Sequence, residues 1–247
     1  MLIDDLIILG RGCPERIRNG RTTICTAGYS PTHGFTRIFP TKIGMPLRQW
    51  SIVRVPVERN PKDTRGESWK IEGAKSEWNS LEKKVEVVGE LVLKDRLDLV
   101  ANLVDDCVET VSTARRSLGI IRPTIEECYL SKQEDYDIST QLTLLGLPLP
   151  KTKEQYPTIP RIRYRCSNCK AKKAHDQQVL EWGFYEWMRK NPDNPSQVWE
   201  NARISSSEHE LFFLIGNLLR HRNRFVIISV LRLGRAPIHQ PLVKPIK

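Results

Sequence analysis

Long apolar runs are missing from this sequence. No stretch approaches the ~20 consecutive apolar residues that a helix needs to span a bilayer, so no membrane span is expected. The apolar start, residues 1–9, carries Asp4 and Asp5 and has neither a basic n-region nor a small-residue cleavage site. It reads as a first strand instead of a signal peptide. With no secretion signal, the six cysteines (Cys13, Cys25, Cys107, Cys128, Cys166 and Cys169) are expected to be reduced and the protein cytoplasmic. A complete catalytic constellation is also missing. Gly10-x-Gly12 is too short for a phosphate-binding fingerprint. Nothing links a Ser/His/Asp or Cys/His triad, and no Glu-x-Lys pair accompanies a strand-borne Asp as a nuclease requires. Internal repeats are absent as well.

What is present is a globular composition with uneven charge. The 247 residues are 39% hydrophobic and 28% charged, which suffices for a core without staples. Residues 1–150 hold 21 Lys+Arg against 21 Asp+Glu, whereas residues 151–247 hold 18 against 8. The whole net charge of +10 therefore lies in the last 97 residues. Such a segment attracts phosphates by Coulomb energy and counterion release. The expected partner is nucleic acid, DNA or RNA. The alternatives are a merely basic surface, or an acidic protein or membrane surface.

The patterning predicts an α+β fold. Residues 6–9, 22–27 and 34–39 read as short strands bounded by Gly or Pro. Residues 51–59 alternate, with Val53, Val55 and Val57 on one face and Pro56 suggesting an edge or bulge. Together they suggest a small β-barrel-like part. Residues 60–80 read as a loop. Leu97, Val100, Val104, Cys107, Val108 and Val111 recur at helical spacing, predicting one central helix that ends near Gly119. Residues 120–125 look extended around Pro123. Residues 145–160 carry four prolines and suggest a linker. The expected division is 1–145 (barrel-like part plus helix), 146–160 (Pro-rich linker or loop) and 161–247 (basic C-terminal part). That last part is expected to be a mixed sheet with a helix. It takes strands at 162–165, 211–215 and 225–233, a helix over 177–190, a short helix over 196–203 and a loose tail from 237.

Several segments also share an order. They are Gly12-Cys13-Pro14, Ile24-Cys25-Thr26-Ala27-Gly28, Thr36-Arg37-Ile38-Phe39-Pro40, Arg65-Gly66-Glu67-Ser68 and Ser117-Leu118-Gly119-Ile120-Ile121-Arg122-Pro123. The region of His175 and Leu180-Glu181-Trp182 follows, then Phe213-Leu214-Ile215-Gly216 with His221. This series resembles a widespread uncharacterised family of small prokaryotic proteins found near restriction and defence genes. The resemblance implies an antiviral-defence or mobile-element context, where a protein partner in a defence complex is an alternative to nucleic acid. It implies no reaction. Gly66 stands where that family commonly has proline, and Glu181 where it commonly has aspartate.

Four groups of residues are candidates for chemistry. Cys166-x-x-Cys169 with His175 matches three ligands of a tetrahedral structural zinc. The fourth has to arrive through the fold, from Cys128, His209 or a cysteine of the first half; free cysteines in a hairpin turn, or a redox pair, are the alternatives. Asp176 and Glu181, with Glu186 nearby, are the candidate carboxylates of a metal-dependent nuclease. The simpler reading makes Asp176 a helix N-cap and Glu181 a surface residue sharing a helix face with Gln177. Trp182, Phe184, Tyr185 and Trp187 suit either core packing or a base-stacking platform. The candidate phosphate contacts are Arg163, Arg165, Lys170, Lys172 and Lys173, and the loop Arg220, Arg222 and Arg224. Arg37, Arg59, Arg65 and Lys70 surround the expected barrel, whose open face is a further candidate for oligonucleotide contact.

Overall fold

A computed structural model describes residues 1–17, 20–133, 151–169, 171–205 and 207–234. In chain order the elements begin with β1 (Leu2–Arg11), β2 (Glu15–Arg16), β3 (Thr22–Ser30), β4 (Gly34–Thr41), β5 (Ser51–Arg59), β6 (Ser68–Ile71) and β7 (Glu86–Glu90). The middle holds α1 (Leu93–Ala101), β8 (Val104–Asp105), α2 (Val108–Thr113), β9 (Leu118–Ile121) and β10 (Pro123–Lys132). The last part holds β11 (Thr158–Cys166), β12 (His175–Gln178), α3 (Trp182–Lys190), α4 (Val198–Asn201), β13 (His209–Leu218) and β14 (His221–Gly234). No helix among the described residues is long and apolar enough to cross a membrane.

The first sheet closes on itself. β1 pairs with β3, β3 with β4, β4 with β6, β6 with β5, and β5 back with β1, which makes a five-stranded barrel. The alternation on β5 has the expected consequence. Val53, Val55 and Val57 point inward and are fully buried with Ile3, Leu6, Ile38 and Ile71. Each such side chain contributes about 1.5–3 kcal/mol by leaving water. β5 is no edge strand, since it pairs with β1 along one side and with β6 and β7 along the other. Pro56 stands opposite Leu2, where the β1 ladder ends. The segment expected as a loop contains β6, whose parallel pairing with β4 completes the barrel.

The expected central helix is two helices. Its apolar spacing is real, but Val104 and Asp105 pair in parallel with Ile120 and Ile121 of β9. Cys107 is extended, at φ −159° and ψ 157°, before α2 begins. Sheet pairing at an available strand edge outweighs the weak helix propensity of a Val-Asp-Asp stretch. Beyond it, a sheet ordered β14-β13-β9-β8 and a sheet ordered β10-β11-β12 form the C-terminal part. Ile7, Leu9 and Ala27 of the barrel pack with Leu118, Ile120, Phe212, Leu214 and Ile228 of the β13–β14 sheet. The linker expected at 146–160 lies partly outside the described residues, as does the tail from 237.

A buried polar junction reinforces that apolar contact. The Arg65 guanidinium forks onto Asp63, with Nη2 2.6 Å from Oδ2, and its Nη1 donates to the Asn217 carbonyl at 2.9 Å. Glu67 accepts from the backbone and hydroxyl of Ser117, and Arg37 donates to the Ser117 carbonyl at 2.9 Å. Arg37 and Arg65 are thus buried structural cations instead of surface contacts for an oligonucleotide. Arg59 lies over the Trp69 ring and Lys70 pairs with Glu58.

Candidate metal centre and basic cleft

Four side chains from two stretches of the chain meet at one point. β11 ends at Cys166, the following turn carries Cys169, and β12 opens at His175, whose pairing with Tyr164 places it back over the turn. Cys107 arrives from the other side, on the extended link between β8 and α2. The three Sγ atoms and one imidazole nitrogen lie within 4.8 Å of one another. Cys107 Sγ is 3.6 Å from Cys169 Sγ and 3.5 Å from His175 Nε2, and Cys169 Sγ is 3.2 Å from His175 Nε2. Zn–S bonds of about 2.3 Å and Zn–N bonds of about 2.0 Å at tetrahedral angles require about 3.8 Å between sulfurs and about 3.5 Å between sulfur and nitrogen, and the three separations lie within about 0.3 Å of these. The residues present therefore fit a closed Cys₃His set, and the missing fourth ligand is a cysteine of the first half. Cys128 and His209 are outside the cluster.

The electrostatics follow from position. Burial pushes the Cys107 and Cys166 thiols up. Burial also opposes ionisation of Cys169, yet the Ala171 N–H, the Cys107 thiol and the Cys166 backbone hold it below its ordinary value. Burial and nearby Arg165 lower His175, which favours the neutral imidazole a metal requires.

A cleft of about 460 Å³ opens beside this cluster, between β12 and the β13–β14 hairpin. His175 belongs to both features, and Val108, which follows Cys107 in the chain, lines the cleft. The candidate cations divide around it. Arg163 pairs with Glu127 at 2.7 Å and Arg165 with Glu126 at 2.8 Å, so both are committed across the β10–β11 ladder. Arg222 donates to the Thr64 hydroxyl at 2.5 Å. Lys172, Lys173, Arg220 and Arg224 are exposed and have no carboxylate partner among the described residues. Two of them sit just before β12 and two at the hairpin tip, where Arg224 lines the cleft. Lys170 lies outside the described residues.

The carboxylate group is arranged otherwise than expected. Asp176 and Gln177 belong to β12 and pair with Arg163 and Ile162, so Asp176 is no helix N-cap and Gln177 shares no helix face with Glu181. Asp176 accepts from Arg161 at 2.9 Å and from the Tyr129 hydroxyl at 2.7 Å. Glu181 sits at the start of α3, where its carboxylate accepts from the Val230 N–H at 2.6 Å and from Ser229 at 3.2 Å. Burial pushes it up, against the Val230 N–H, Arg232 and Ser229. The two carboxylates line different clefts. Phe184 and Tyr185 are buried and Trp182 and Trp187 pack against the same core, so this helix is core and no stacking platform.

Cys107 is the site residue that sequence reasoning left unassigned. Helical spacing obscured the short strand Val104–Asp105 and the extended Cys107 that follows it. In comparison with known proteins, residues 3–100 match the family profile described as domain of unknown function DUF8758. Residues 102–245 match that of DUF8757. No curated protein matches the chain. The second profile covers more than half of the sequence and contains all four clustered ligands, so the chain belongs to the DUF8757 family.

Proposed function

We propose that this protein binds nucleic acid through the rim of the cleft beside the Cys₃His cluster, and that the cluster holds a structural zinc. The observation that carries the reading is the set of four exposed cations, Lys172 and Lys173 just before β12 and Arg220 and Arg224 at the β13–β14 hairpin tip, without carboxylate partners among the described residues and with Arg224 lining the cleft. An anionic strand supplies the missing counter-charge, and its condensed ions are released on binding.

Cys107, Cys166, Cys169 and His175 would hold the zinc. A set of four protein ligands leaves no open position for a substrate, so the metal's contribution is a cross-link. It joins the turn bearing Lys172 and Lys173 to the start of α2 and the head of β12. The nuclease alternative gains no support from the carboxylates, because Asp176 and Glu181 are both engaged by protein donors and face different clefts. The defence or mobile-element setting is inferred from the motif resemblance alone. A gel shift at two salt concentrations tests the reading: binding weakens steeply as salt rises if phosphates are the contact. No shift at low salt overturns it.

A further inference from the structure

The cleft has a lining that phosphate contacts leave unused. Its floor is apolar, made by Val108, Phe225 and Val226, all buried. Its walls are polar and partly unsatisfied. Gln178 spends its Nε2 on the Tyr185 hydroxyl at 2.9 Å, which leaves its carbonyl oxygen as an acceptor. The Asn223 amide, exposed at the hairpin tip, has no side-chain hydrogen bond among the described residues. Arg161 uses Nε and Nη2 on Asp176 and keeps Nη1. Both donors and acceptors therefore face a concavity whose mouth carries Arg224.

Size and shape select the occupant. A volume of about 460 Å³ lies in the ~300–1,000 Å³ range of pockets that enclose a small molecule. A paired base cannot reach the partly buried Gln178 on the cleft wall, since its Watson–Crick edge is taken and its other edge stays inside a groove. An unpaired base can be splayed out, laid on an apolar floor and bonded along its edge. We infer that the cleft takes one unpaired base of a single-stranded nucleic acid, with its edge on Asn223 and Gln178 and its flanking phosphates on Arg220 and Arg224. This rests on the nucleic-acid reading above and adds the strand form.

The test is fluorescence anisotropy on the full zinc-loaded chain, with a labelled mixed-sequence 12-nucleotide single strand and its perfect duplex, each titrated at several salt concentrations. The single strand is expected to bind at least about tenfold more tightly. Asn223→Ala removes an exposed amide that makes no side-chain hydrogen bond among the described residues, so the thermal melt stays in place. Its single-strand affinity falls at least about fivefold, the lower end of what one base-edge contact discriminates, with the salt slope unchanged. Arg220→Ala with Arg224→Ala lowers the slope instead. If the duplex binds as tightly as the single strand, or if Asn223→Ala has no effect while the arginine variants do, the cleft inference fails and the nucleic-acid reading survives. Mononucleotides competing as effectively as the oligonucleotide overturn the strand part. Absence of binding to either probe at low salt overturns the nucleic-acid reading itself.

Discussion

Replacing Cys107 with alanine isolates the metal centre from the rest of the fold. The side chain is 4% exposed, and its sulfur lies 3.6 Å and 3.5 Å from two other ligands. Structural zinc sites bind with apparent free energies of about 10–16 kcal/mol at neutral pH. Removing one of four ligands costs on the order of a quarter of that, about 3 kcal/mol. At about 1.4 kcal/mol per decade, zinc affinity falls roughly 100-fold. The assay is competition against a chromophoric chelator, with metal content measured by mass spectrometry. Wild type should carry one zinc per chain, and Cys107→Ala should lose it to the chelator about 100-fold more readily. Cys128→Ala, outside the cluster, should leave affinity unchanged. Equal zinc retention by Cys107→Ala and wild type, or a stably folded wild type that takes up no zinc, would refute the reasoning.

Other perturbations test the frame around the site. Asp63→Asn breaks a buried ion pair whose side chains are 8% and 2% exposed, a loss of about 3–5 kcal/mol. Calorimetry should show Tm lower by about 6–20 °C. Burial alone would raise the Asp63 carboxyl, but hydrogen bonds from Arg65 and Ser68 hold it down at about 2, below its ordinary 3.8. Its stabilisation is therefore complete above pH 3.8 and lost as pH falls towards 2, and acid titration of Asp63→Asn should lack that component. Gly28→Ala places a Cβ 2.3 Å from the Ile7 carbonyl oxygen, so urea melts should show at least about 1–3 kcal/mol lost from the barrel. Arg163→Ala and Arg165→Ala remove half-exposed arginines already paired with glutamates. Stability should change by no more than about 1 kcal/mol, and oligonucleotide affinity by less than about twofold.

The parts legible in the sequence are those set by local pattern. Val53, Val55 and Val57 announced their shared face by alternation, and β5 runs over the expected residues. The two C-terminal strands were visible as apolar runs around a basic turn. The parts that escaped depend on distant partners. Val104 and Asp105 become strand only because β9 offers an edge, and this turns Cys107 towards the CxxC turn. Gln177 and Gln178 join a sheet because β11 lies beside them, so α3 starts at Trp182 instead of 177. Arg37 and Arg65 look like surface cations in one dimension. Their burial follows from Ser117 and Asn217, which lie 80 and 152 residues away in the chain. The charge count located the basic excess along the chain but did not separate cations paired with carboxylates from those with none among the described residues.

The central claim is that Lys172, Lys173, Arg220 and Arg224, which have no carboxylate partner among the described residues, hold phosphates. Its most direct test is the slope of log affinity against log salt, for wild type and for the combined Lys172→Ala, Lys173→Ala, Arg220→Ala and Arg224→Ala variant. Each phosphate contact on a single strand contributes about 0.7 to that slope. The account predicts a slope shallower by about 3 in the variant, with the zinc content unchanged. An identical slope in both proteins would contradict it.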